Sequence, residues 1–179
     1  MRRVQVAVLI SAAAFWLGAS AAGQIAPRGP EQTSFSAEDS SVRRPVTIPP
    51  AVMALIENDS LVRDTAQYEN TAVGRVPASW FSASAIHLGS DGSSGLIVAA
   101  EGPLAGGNVE TFWVVLRMGN GYRIVLAIAA HDLDVQRDRT HGYRNIRASA
   151  ETCCTITTAE FRFDGIRYRR AWSKTENIP

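Results

Sequence analysis

The sequence predicts an α+β protein of mainly antiparallel β-structure, with a single curved or twisted sheet of about seven to eight strands and a short N-terminal helix. Three observations predict this fold. A proline-led apolar stretch near residue 50 has helical spacing, the chain after residue 77 reads as strands, and two tight-turn dipeptides, Asn120-Gly121 and Asp164-Gly165, separate strand-like runs.

The first predicted element is a short helix in "PPAVMALIEND", which begins at Pro49. Pro50 suits the first helical turn, because the N–H that proline lacks would have no partner there. The apolar residues that follow recur at helical spacing: Val52, Leu55 and Ile56. A polar break comes next, and "LVRDTAQY" predicts one or two further turns.

From Pro77 onward the sequence predicts strands. "WFSASAIHL" alternates, "SGLIVAAE" is a short apolar run, and "TFWVVLRM" and "YRIVLAIAA" flank Asn120-Gly121. Asn-Gly favours a two-residue hairpin loop because both loop residues need positive φ. The pairs that this loop implies are Met118–Arg123, Leu116–Val125 and Trp113–Ile128. Both faces of the hairpin are then mostly apolar, which is typical of central strands covered on both sides, with the helix on one of them.

A second predicted hairpin has Asp164-Gly165 as its two-residue loop. The pairs on its apolar face are Phe163–Ile166 and Phe161–Tyr168, and those on its charged face are Arg162–Arg167 and Glu160–Arg169. One apolar face and one charged face predict a half-buried hairpin near the edge of the sheet.

The N-terminus has the order of a secretory signal peptide, which we assign to residues 1–22. Arg2 and Arg3 form a basic start, residues 4–19 are almost wholly apolar, and small residues follow. The alternative is an uncleaved membrane anchor, but this apolar run is shorter than the roughly 20 residues that a span needs. No other stretch is long and apolar enough to cross a membrane, so we expect a periplasmic or secreted protein.

The rest of the chain divides into a tether and one domain. Residues 23–48 are rich in proline, serine, glycine and charge and have no apolar period, which predicts a disordered tether. Residues 49–174 are predicted to form a single β-rich domain, which is long enough to bury a core.

Charge is unevenly distributed along the chain. Residues 137–179 hold nine basic and five acidic residues, whereas residues 23–136 hold seven basic and twelve acidic residues. A basic end attracts anionic partners, and we predict a binding surface made of these residues: Arg144, Arg147, Arg162, Arg167, Arg169 and Tyr168. The alternative is an ordinary solvated strand face. Export argues against nucleic acid, so the expected partner is an envelope protein or an anionic envelope polymer.

The only two cysteines of the chain are adjacent, Cys153 and Cys154, at the start of the second hairpin. Neighbouring residues of a strand point to opposite faces, so a bond between these cysteines would need a distorted peptide. Three interpretations stay open: structural thiols, a disulfide between the two neighbours, and a redox or metal site. The last lacks the two-residue spacing of redox motifs and the further ligands that zinc needs.

The motifs of the strand region resemble those of a family of exported bacterial β-rich proteins of unassigned function. The similarity covers residues 79–172 and includes "WFSASAIHL", "GLIV", "THGYRNI" and "FRFDGIRY" in that order. It implies a compact β-rich domain in the envelope or outside the cell, and it implies no reaction. Members often carry a calcium-type loop, of which only Asp91 and Gly92 remain here, so we predict a plain turn without a metal ion. Asn145 also stands where members often have Asp.

These patterns favour an exported, non-catalytic binding or structural protein of the bacterial cell envelope, without a cofactor. The alternative is a small exported hydrolase that uses a cluster of His131, Asp132 and Asp134, because an Asp can orient a His that acts as a general base. The sequence has no nucleophile motif of the Gly-x-Ser-x-Gly type. The interpretation that competes with a hydrolase site is that this cluster is only the polar end of a strand. The other two histidines, His87 and His141, are predicted to be surface residues.

Overall fold

The computed structural model describes residues 30–38, 41–72 and 74–178, so the predicted signal peptide lies outside the described residues. Within them the chain forms two α-helices and nine strands, with short 3-10 helices at Ala78–Trp80 and Gly102–Leu104. In chain order the α-helices and strands are β1 (Ser34–Ser36), α1 (Pro50–Ile56), α2 (Ser60–Tyr68), β2 (Phe81–His87), β3 (Ser94–Ala100), β4 (Glu110–Met118), β5 (Gly121–Ala130), β6 (Asp132–Thr140), β7 (Tyr143–Glu151), β8 (Thr155–Phe163) and β9 (Tyr168–Asn177).

The strands form two antiparallel sheets, one with the order β2-β3-β4-β5 and one with the order β1-β6-β7-β8-β9. The prediction of mainly antiparallel β-structure is confirmed, and the prediction of a single sheet of seven to eight strands is wrong. The chain leaves the first sheet after Ala130 and starts the second at Asp132. Because the first sheet is apolar on both faces, one short helical layer cannot cover it, and the second sheet packs on the face that the helices leave open.

The centre of the molecule is β4, whose side chains alternate between two separate cores. Phe112, Val114 and Leu116 are buried between the two sheets. Trp113 and Val115 point the other way, into a second core beneath α1 and α2. The predicted burial of this strand on both faces, with helix on one of them, is therefore observed, whereas its hairpin partner β5 is an edge strand and not a central one.

The loop of the β4–β5 hairpin differs from the predicted one. Met118 pairs with Gly121, so the loop residues are Gly119 and Asn120 rather than Asn120 and Gly121. Gly119 has a φ of 56°, as the first loop residue of a type II′ turn does. A β-bulge at Val114/Val115 then shifts the register again, and none of the predicted pairs forms.

The β8–β9 hairpin also closes with a different loop, of four residues between Phe163 and Tyr168, which pair with each other. Asp164 stabilises this loop, because its Oδ1 accepts the backbone N–H groups of Ile166 and Arg167, each at 2.8 Å. The register is displaced by two residues from the predicted one. Since side chains alternate with a period of two, the division into an apolar and a charged face survives the displacement.

The described part of the predicted tether is ordered against the domain, which corrects the prediction for residues 30–38 and 41–48. Strand β1 pairs with β6, and Phe35 is 1% exposed in the core between the sheets. Val42 is buried in the same core. A strand of three residues is too short to produce a visible apolar period, so composition alone suggested disorder.

The predicted helix with its additional turns is observed as two helices that meet at Asp59. This residue caps α2, since its Oδ1 accepts the backbone N–H of Leu61 at 3.0 Å. Its second oxygen, Oδ2, accepts the indole N–H of the buried Trp113 at 3.1 Å. One carboxylate therefore caps a helix and satisfies the most central polar group of the second core.

We expect Asp59→Ala to lower the free energy of unfolding by about 2 to 3 kcal/mol, because it removes a helix cap and leaves a buried indole N–H without an acceptor. Urea denaturation followed by tryptophan fluorescence measures the change. The matched control is Asp64→Ala, which removes an exposed aspartate from the same helix and should change stability by less than about 0.5 kcal/mol. Equal effects of the two substitutions would contradict the role of Asp59.

Candidate functional site

A groove of about 560 Å³ opens where the edges of the two sheets approach each other. One wall is formed by residues 124–127 of β5 and the other by residues 167–170 at the start of β9. Each of these strands is an edge strand of its sheet. The wall formed by β5 therefore offers backbone N–H and C=O groups that no neighbouring strand of the described chain uses.

The floor of the groove is apolar and rigidly held. Val125 and Tyr168 are both buried in the core between the sheets. The Tyr168 hydroxyl donates to the backbone oxygen of Arg144 at 2.7 Å. Burial raises the pKa of Tyr168 above its ordinary value, so the phenol stays protonated at neutral pH and keeps donating this hydrogen bond.

The rim of the groove carries positive charge from Arg167, Arg169 and Arg170. Arg169 is partly neutralised, because its Nε lies 2.5 Å from Asp164 Oδ2. The backbone N–H of Arg167 and the Arg169 guanidinium lower the pKa of Asp164, which keeps that carboxylate charged. Within the described residues, no carboxylate lies within ion-pair distance of Arg167 or Arg170.

Arg170 belongs to the same basic run as the predicted binding residues Arg167 and Arg169, and it is the second rim cation without a described carboxylate partner. In the observed register it pairs with Phe161 and lies on the same face as Tyr168, towards the groove. The predicted register placed Tyr168 opposite Phe161. The run Arg169-Arg170 was the available signal, since neighbouring strand residues face opposite sides and one of the two had to point inwards.

Arg144, another predicted binding residue, lies in the interior and is 9% exposed. Its guanidinium donates to the backbone oxygens of Val135 and Gln136 and to Glu31 Oε2, at 2.8, 2.7 and 2.8 Å. These contacts join the N-terminal segment to β6 and β7. The structure therefore places Arg144 in the framework and away from the groove.

Arg147 and Arg162 lie on the outer, polar face of the five-stranded sheet. Both face Glu160, whose carboxylate oxygens lie 2.8 Å from Arg162 Nε and 3.8 Å from Arg147 Nη2. Arg147 also stacks 5.9 Å from the ring centre of Trp172. This pattern of alternating charge is typical of a solvated sheet face, so of the six predicted residues only Arg167, Arg169 and Tyr168 line the groove.

The His131 cluster forms in part. His131 Nδ1 lies 3.1 Å from Asp132 Oδ2, and its Nε2 lies 3.5 Å from Glu38 Oε1. The hydrogen bond to Asp132 raises the pKa of His131. The nearby Ser149 hydroxyl donates to Asp132 Oδ2 at 3.0 Å and not to the imidazole. A hydrolase needs its nucleophile hydrogen-bonded to the base, and this arrangement instead ties the histidine to the N-terminal segment.

Other predicted surface sites are ordinary turns. Asp91 Oδ1 accepts the Ser93 backbone N–H at 2.8 Å, so the loop at residue 91 is closed by its own side chain. His141 Nδ1 lies 2.8 Å from the backbone oxygen of Phe163, and His87 is exposed beside Glu31. Among the described residues, no three His, Cys, Asp or Glu side chains are placed to hold a metal ion together.

A buried carboxylate, Glu110, is a feature that the sequence did not reveal. It is 6% exposed at the start of β4, and the Ser41 hydroxyl donates to its Oε2. Burial, and then the charge of Glu101, raise the pKa of Glu110 to about 7. The contact joins the N-terminal segment to the four-stranded sheet.

Comparisons with known proteins give no further guide to the site. No family model matches the chain, and neither the curated proteins nor the solved structures include a match. The resemblance to exported β-rich proteins stays a prediction from the sequence. Neither α1 nor α2 is long and apolar enough to span a membrane, and the described residues contain no other α-helix.

We expect Glu110→Gln to flatten part of the pH dependence of stability. Since the folded-state pKa lies above the ordinary 4.5, the folded protein binds this proton more tightly, and stability falls as the pH rises from 4.5 to about 7. Relative to the wild type, the variant should gain about 2 to 3 kcal/mol across this window. Urea denaturation at several pH values measures the change, with exposed Glu151→Gln as the control. A variant that keeps the wild-type slope would refute this role.

Proposed function

We propose that this chain is an exported, non-catalytic binding protein of the bacterial cell envelope that holds an acidic, extended peptide segment of another protein in the groove between β5 and β9. The observation that carries the proposal is the position of Arg167 and Arg170. Two exposed cations without a described carboxylate partner stand beside a strand edge that pairs with no other strand of the described residues.

The chemistry of the groove favours a peptide over other anions. An extended segment can add to a sheet edge as a further strand, with main-chain hydrogen bonds supplying affinity. The exposed Ala127 leaves room beside β5. Guanidinium groups bind carboxylates through paired N–H donors, so acidic side chains of the added strand would meet Arg167 and Arg170. An anionic polysaccharide could satisfy the arginines but not the row of backbone groups.

The opposite edge of the same sheet, formed by β2, is partly covered, whereas no described strand pairs with the outer edge of β5. At the β2 edge, the backbone N–H of Val46 donates to the Ala83 oxygen at 2.8 Å. In the other sheet, β1 covers part of the edge of β6. Natural proteins usually cover or charge exposed edges, and a basic rim beside an uncovered strand suits a site that is filled by a partner.

Export is the second part of the proposal and rests on the basic, apolar and small-residue order of residues 1–22. Cell fractionation followed by mass spectrometry of the mature N-terminus tests it directly. Recovery of an N-terminus near residue 23 from the envelope or medium supports export. Recovery of the intact N-terminus from the cytoplasm would overturn it without bearing on the groove.

We expect the double charge reversal Arg167→Glu/Arg170→Glu to weaken binding of a fluorescein-labelled peptide of alternating Glu and Val by about tenfold or more. Fluorescence anisotropy at physiological salt measures the dissociation constant. The control with the same net charge is Arg75→Glu/Arg137→Glu, two exposed arginines away from the groove. Equal weakening by both pairs would indicate non-specific attraction, and no weakening by either would remove the groove from the binding site.

Two further probes identify the mode of binding. A peptide methylated on alternate backbone nitrogens should bind much more weakly if it adds to β5 as a strand, since its donors are blocked. A photo-crosslinker at position 127 in the living cell should attach to an acidic segment of an envelope protein, and the double reversal should abolish this product. A sulfated polysaccharide is tested as a competitor. If it binds as tightly as the peptide, the ligand is an anionic polymer and not a peptide.

A further inference from the structure

The sequence predicted that the two cysteines lie at the start of a strand. They lie instead in the turn that joins β7 and β8. Cys153 and Cys154 are both exposed, and their Sγ atoms lie 2.7 Å apart. In a strand, neighbouring side chains would point to opposite faces. The turn instead directs both thiols to the same side, which changes what they can do chemically.

The turn is held in this shape by its own hydrogen bonds. The Thr152 hydroxyl accepts the backbone N–H of Thr155 at 3.1 Å, and the Thr152 N–H donates to the Thr155 oxygen at 2.9 Å. From the other side, the Ile178 N–H donates to the Cys154 oxygen at 2.8 Å. The backbone around the two thiols is therefore fixed by contacts that do not involve sulfur.

We propose that Cys153 and Cys154 form a redox-active dithiol site that closes reversibly into a disulfide between neighbours by exchange with a small disulfide oxidant. One cysteine thiolate attacks the oxidant, forms a mixed disulfide and releases the first oxidant thiol. The second cysteine thiolate then attacks the protein sulfur of that mixed disulfide and releases the second oxidant thiol. The protein loses two electrons and two protons, and the oxidant gains both.

Proximity favours the closing step. The two Sγ atoms are in direct contact, so they need not be brought together before the bond closes. The sequence has no third cysteine, so a disulfide within one molecule can form only between these two sulfurs. Both side chains are exposed, and neither belongs to the two buried cores. Opening or closing the bond therefore leaves the cores intact.

The same geometry makes the bond reversible. Neighbouring Cα atoms are about 3.8 Å apart, closer than the roughly 4.4 to 6.8 Å usual for disulfides, and such deviations make a bond easier to reduce. Exposed bonds of this kind exchange rapidly with small thiols, whereas structural disulfides resist reduction. The inference thus assigns the pair to redox exchange and not to stabilisation of the fold.

This inference does not rest on the proposed peptide binding. The cysteine turn lies beside Asn177 at the end of β9, whereas the groove lies at its beginning, around Tyr168. A negative result for the cysteine turn therefore does not bear on the proposed peptide binding, and a negative result for the groove does not bear on the cysteines.

The experiment treats the reduced, folded protein with oxidised glutathione, quenches it with iodoacetamide and maps the tryptic peptide of residues 148–162, which contains both cysteines. We expect this peptide to lose two hydrogen atoms, to take up no carbamidomethyl group because it has no thiolate left, and to regain both thiols in dithiothreitol. The variants Cys153→Ser and Cys154→Ser should each stop at the glutathione mixed disulfide.

A further variant tests the role of the turn. Thr152→Ala removes the hydroxyl that holds the loop and should raise the ratio of mixed disulfide to closed bond by several-fold, with circular dichroism showing an intact fold. Three results would overturn the inference: wild-type protein that keeps two alkylatable thiols, wild-type protein that stops at the mixed disulfide, or disulfide-linked dimers as the main product.

Discussion

The structure depends on one constraint, which is that β4 has apolar side chains on both of its faces. Trp113 and Val115 must be covered on one side and Phe112, Val114 and Leu116 on the other. Burial of each such side chain contributes roughly 1.5 to 3 kcal/mol, so neither face can be left to water. The helices cover the first face and the five-stranded sheet covers the second. The resulting architecture has three layers and two cores.

The groove follows from that arrangement. Two open sheets that pack face to face bring their last strands, β5 and β9, side by side without joining them. The polar groups that hold the layers in place are buried and fully committed, as Arg144 is to Glu31 and to backbone oxygens of β6. At the junction of the sheets Arg169 is paired with Asp164, whereas Arg167 and Arg170 have no described carboxylate partner and keep their charge exposed. The framework and the groove thus use the same residue type in two environments.

Local signals located the elements better than they located the pairing. Asn120-Gly121 and Asp164-Gly165 each marked a real hairpin, yet both loops closed elsewhere, because Gly119 can start a tight turn equally well and Asp164 closes a four-residue loop with its side chain. The alternating faces of β8 and β9 were predicted correctly, since a displacement of two residues preserves them. The register, and with it the pairing of Arg170 with Phe161, was not predictable, because alternation fixes the face of a residue and not its partner on the next strand.

By itself, the sequence determined the antiparallel β-rich character, the N-terminal helices, the two hairpins and the double-sided burial of β4, because these follow from periods of two and 3.6 residues that any fold must respect. Tertiary structure decided the separation into two sheets, the docking of Phe35 and Ser41, the burial of Arg144 and the shared direction of the two thiols. Each of these depends on contacts between residues distant in sequence or on the exact path of a turn. A local sequence pattern shows that a face is apolar but not which other face packs against it. That pairing is decided only when the sheets and helices pack together.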